Sequence, residues 1–210
     1  MNEMTVASEL VIDATRRWLE CAVIGLNLCP FAKGVHVKGQ IHYAVSRAQT
    51  AQDLLQDLTG ELVALQALDP SVRDTTLLIA PECLADFLDF NDFLVDADRA
   101  LVDLDLEGVL QIASLHPDYQ FAGTREDDIT NFTNRSPYPT LHLLREDSID
   151  RAVRAFPEAE SIFEKNMQTM QQLGRSGWDA LGVGRSGAAA DAAAVTASNL
   201  AGNPQETDRR

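Results

Sequence analysis

Residues 75–81 read TTLLIAP, and the fold turns on how this stretch is taken. It carries no charge, follows Asp74 and closes on a proline, so it reads as a strand buried on both faces. On its amino side, the spacing of Leu54, Leu55, Leu58, Leu62 and Leu65 predicts a helix over residues 50–68, with Asp69-Pro70 as its stop. On its carboxyl side, Pro81 opens a third helix that turns Phe87, Phe90, Leu94, Ala97 and Leu101 inward, and GVLQIASL at 108–115 is the next strand. Residues 140–145 supply another strand, followed by helices over 148–155 and 158–173.

Upstream, Val11, Ala14, Trp18, Ala22 and Leu26 recur at helical spacing across residues 10–26. VHVKGQIHYAVS, residues 35–46, then forms either a hairpin about Lys38-Gly39-Gln40 or a single strand from Ile41 to Ser46. Strands alternating with helices predict an α/β fold: one layered domain over residues 8–174, with a mixed, mostly parallel sheet of four or five strands flanked by helices. Residues 175–210, rich in Ala, Gly and Ser, are expected to form a mostly disordered low-complexity tail.

Composition excludes several classes. Thirty-two acidic residues against 17 Lys and Arg leave a formal charge of −15, with no basic cluster to neutralise a phosphate backbone, so no nucleic-acid partner is expected. No stretch approaches the roughly 18 apolar residues of a membrane span. The amino terminus is acidic and amphipathic where a secretory signal is basic and then apolar, which points to the cytoplasm. Cys21, Cys29 and Cys83 are odd in number and scattered, which suits a reducing compartment. No glycine-rich phosphate loop is present. Oligomeric state is not readable.

Between Leu115 and Thr140 lies a segment with neither helical nor strand periodicity, beyond the roughly 12–15 residues at which loops become functional or disordered. Tyr119, Phe121, Phe132 and Tyr138 among prolines and side-chain amides predict order. The loop leaves the carboxyl end of a strand, where open α/β sheets bind ligands. Arg135 offers a forked donor to a small anionic metabolite, with Thr124, Asn131, Asn134, Ser136 and Tyr138 adding hydrogen bonds.

The segments LNLCPFAKG, TTLLIAP, DFNDFLVDAD, GVLQIASLHPDYQFAGT and NFTNRSPYPTLHLLRE together resemble a bacterial family of uncharacterised proteins, domain of unknown function 1415, over about Trp18 to Trp178. The resemblance implies a bacterial cytoplasmic domain and transfers no mechanism. Cys29, His116, Asp118, Arg135 and His142 fall within the matching segments; His36 and His42 fall outside them.

Three chemistries suit these residues. In the first, an enzyme acts on the anionic metabolite, with His116 as proton carrier oriented by Asp118 and Cys29 as nucleophile if Pro30 opens a helical turn. In the second, the loop binds a small molecule or a partner without catalysis. In the third, a metal is held by His116, Asp118 and His142, joined by Asp128, although no compact ligand spacing supports it and none of these is assigned as a metal ligand. His142 alternates with Thr140 and Leu144 and reads first as a satisfied core histidine, whereas for His116 the two readings are even. No cofactor is indicated.

Overall fold

The computed structural model describes residues 3–155 and 161–183, with the side chains of Glu3 and Met4 left aside. The expected tail lies outside the described residues from 184 onward. Helix α1 (Glu3–Trp18) runs into a π-helical turn (Leu19–Ile24), and a short helix α2 (Ala32–Val37) leads to strand β1 (Ile41–Val45). Then come α3 (Ala51–Ala67), β2 (Thr75–Ile79), α4 (Phe87–Asp103), β3 (Leu110–Leu115), β4 (Thr140–Arg145), α5 (Glu146–Ala155) and α6 (Ile162–Leu181). None of the helices described is long and apolar enough to cross a membrane.

Local chemistry sets these boundaries. The Thr50 hydroxyl accepts from the Asp53 N–H at the start of α3. Pro81 does not open α4: Leu84 sits at φ 53°, which breaks a helical run, and the Asp86 carboxylate caps the helix by accepting from the Leu88 and Asp89 N–H groups. The segment before β1 is helical, so VHVKGQIHY is not a hairpin. His36 lies on α2 beside Glu20 and His42 on β1 near Glu61, apart from one another.

The four strands lie in the order β1-β2-β4-β3. Among the described residues, only β1 and β2 pair in parallel; β4 pairs antiparallel with both β2 and β3. The sheet is therefore mixed and not mostly parallel, because the long β3–β4 connection returns the chain in the opposite direction and places β4 between its neighbours. The register sets Tyr43, Leu77, His142 and Ala113 in one cross-sheet row and Ile41, Thr75, Leu144 and Gln111 in the row two residues along. Strand alternation gives both rows to one face.

The opposite face carries the main core. Leu54, Leu58, Leu62 and Leu65 of α3 and Phe90, Phe93 and Ala97 of α4 pack there on Leu78, Leu141 and Leu143. Each buried leucine contributes about 1.5–3 kcal/mol. A second cluster on the His142 face joins Trp18, Leu19, Ala22 and Leu28 to Met170 and Trp178. It extends the packed chain past Gly174, where α6 kinks at φ 64°, ψ 177°, a backbone region open only to glycine. Trp178 meets the Phe132 ring edge-on at 5.2 Å, and Val183 is buried with it.

Candidate functional site

The 116–139 connection is ordered, and its polar groups are largely engaged with one another. Asp128 caps a 3-10 turn (Ile129–Asn134) by accepting from the Thr130 N–H and hydroxyl. The Thr130 N–H, and after it the Thr130 hydroxyl, pull its carboxyl below the usual range. Asn131, fully buried, is the hub: its Oδ1 accepts from the Phe121 N–H (3.0 Å) and the Thr124 hydroxyl (2.8 Å), and its Nδ2 donates to the Arg125 carbonyl (2.8 Å). Ser136 donates to the Tyr138 carbonyl (2.6 Å). Burial raises the Tyr138 phenol, whose ring packs beside Val11, Leu77 and Ile79.

His116 is fully buried between the Phe87 and Phe90 rings, centroids 5.4 and 5.1 Å away. Its Nδ1 accepts from the Asp118 N–H (3.0 Å), so Nε2 carries the proton that goes to the Leu84 carbonyl (3.1 Å). Arg135 donates from Nε to the Tyr119 carbonyl (3.2 Å) and from Nη2 to the Glu126 carbonyl (2.8 Å). Its guanidinium lies 4.3 Å above the Phe132 ring, and burial lowers its pKa. These groups tie the loop to itself and to the turn after β2.

A cavity of about 660 Å³ opens on the other face of the sheet. Its floor is Ile41, Thr75, Leu77, Gln111, His142 and Leu144; the helical cover comes from α1, the π-helical turn, α2, α5 and α6. The π-helical turn bends the chain so that Leu19 and Val23 both reach the space. Asn166 holds the cover together by donating to the Leu28 carbonyl (2.8 Å).

Cys29 and Asn134 line this cavity; His116, Asp118, Thr124, Asn131, Arg135, Ser136 and Tyr138 do not. Burial raises the Cys29 thiol, opposed in part by the Phe31 and Ala32 N–H groups. His142 is half-buried and faces the cavity; desolvation lowers its pKa from 6.5 to about 4. No described residue hydrogen-bonds to its ring. His116 and His142 thus serve opposite sides of the sheet, and no group of three or more His, Cys, Asp or Glu side chains suited to a metal is gathered among the described residues.

Sequence reasoning did not single out Gln111 or Lys38. The alternation of residues 140–145 was the one available signal for this face. It aligned His142 correctly with Leu144, but nothing in the sequence says that the helical cover stands clear of them.

Fold and cavity together define an α/β fold with an open, mostly apolar cleft between a mixed sheet and its helical cover. The family model of a protein of unknown function, DUF1415, matches residues 10–180, and the chain belongs to that family. No curated protein and no solved structure matches.

Proposed function

We propose that the chain binds a small organic molecule between the sheet and its helical cover, and that the His142 imidazole is the polar group that molecule meets. One observation supports this reading above others: a half-buried imidazole, uncharged at neutral pH, faces a space of about 660 Å³ without a protein hydrogen bond. Ring nitrogens that face a cavity without protein partners are met by water there, or by a ligand group that takes the water's place. The volume falls within the roughly 300–1,000 Å³ of small-molecule sites.

A second reading, an enzyme, has support from Cys29, which lines the same space. Burial pushes the thiol up and the imidazole down, which favours the uncharged pair over a thiolate with an imidazolium. Binding without chemistry is the better-supported role. Proton transfer by His116 and Asp118 on an anionic metabolite clamped by Arg135 draws support from the order of the loop, and is weakened because both His116 nitrogens and the Arg135 donors meet backbone groups.

Native against denaturing mass spectrometry of the isolated chain, with thermal shifts against fractionated small-molecule extracts, tests the proposal. The expected result is a co-purifying mass, or a stabilising fraction, that Leu77→Trp abolishes by filling the floor. A chain with no extra mass and no stabilising fraction removes it. Elemental analysis of the same sample tests the metal-dependent alternative.

A further inference from the structure

Resting on the reading of the cavity as a binding site, we infer that its occupant is an uncharged molecule with an apolar body and one hydrogen-bonding head, such as a hydroxyl, phenol or amide, and that anions are refused. The body is set by the walls: Trp18, Leu19, Leu28, Leu77, Leu115 and Leu144 present an indole and aliphatic carbon to the space.

The charge follows from the titratable groups on those walls, which are Cys29, Lys38, Asp74, His142 and Arg145. Arg145 donates to the Leu65, Leu68 and Arg73 carbonyls, so its guanidinium answers the carboxyl end of α3 and the turn beyond it. Asp74 accepts from the Ser148 hydroxyl (2.6 Å) and puts a carboxylate on the wall. Lys38 caps the carboxyl end of α2 as an exposed residue, at the rim. The two remaining groups are held uncharged at neutral pH by burial. An anion entering here gives up its hydration with no inward cation to replace it.

The head group is read by two side chains. His142 offers one ring donor and one ring acceptor. Gln111, its diagonal neighbour on the same face through the Ala113–His142 and Gln111–Leu144 pairs, has an amide with no hydrogen bond to a described residue. An imidazole and an amide side by side suit a neutral donor–acceptor group.

The test uses the full chain at neutral pH with three probes that share one ring system: naphthol, naphthalene and naphthoate. Binding is followed by amide chemical shifts, and location by alkylation of Cys29 against the exposed Cys21. Naphthol is expected to bind roughly tenfold or more tightly than naphthoate and to protect Cys29 while Cys21 still reacts. His142→Leu is expected to bring naphthol down to the affinity of naphthalene. Should that variant not fold, His142→Gln and the wild-type ranking decide, with Gln keeping part of the preference. Naphthoate binding as tightly as naphthol overturns the inference and leaves the cavity a binding site. No binding by any of the three, with Cys29 unprotected, overturns both.

Discussion

His116 shows how one side chain joins two distant stretches. Its Nε2 proton goes to the carbonyl of Leu84, a residue at φ 53° where a branched side chain is strained, and its Nδ1 takes the Asp118 N–H. His116→Ala strands both partners beside two phenylalanine rings; a loss of about 2–4 kcal/mol in urea unfolding is expected. His142 makes the contrasting prediction. Its folded pKa of about 4 lies below the ordinary 6.5, so its neutral form favours folding fully above that ordinary value. Stability then declines as pH falls from 6.5 toward 4, by up to roughly 3 kcal/mol, because the unfolded chain takes the proton first. His142→Gln should flatten that part of the urea-midpoint profile relative to the parent chain.

At the scale of elements, the π-helical turn is the least replaceable piece. A Cβ on Gly25 falls 2.3 Å from the Cys21 carbonyl oxygen, a backbone atom that yields only if the turn rewinds. Gly25→Ala is expected to cost about 2 kcal/mol or more and to weaken binding of any cavity ligand, read by thermal melting and titration. The regular elements were largely legible in the sequence. The leucine spacing of α3 and the apolar runs of β2, β3 and β4 carry their own periodicity, and the structure keeps them within a few residues. What was not legible has a common cause: strand direction, the left-handed Leu84 that delays α4, and the helix before β1 are decided by tertiary partners and leave no period in the chain. The site divides the same way. The order of the 116–139 connection could be read from its prolines, amides and aromatics, whereas its donors had no readable destination, and backbone carbonyls took those of Arg135.

Across the whole molecule, the segment beyond Gly174 belongs to the packed structure as far as Val183. Trp178 is buried against Phe132, whose ring also lies beneath the Arg135 and Arg175 guanidiniums at 4.3 and 5.1 Å. Trp178→Ala is expected to lower stability by about 3–5 kcal/mol in urea unfolding, and a chain ending at Gly174 should show a comparable loss. The sheet order has a different reach. β4 comes last in sequence yet stands between β2 and β3, so a nascent chain emerging from the ribosome holds two unjoined halves until Arg145 has left the exit tunnel. Synthesis that stalls before that point leaves sticky strand borders unpaired, and chaperone demand should peak at that length of chain.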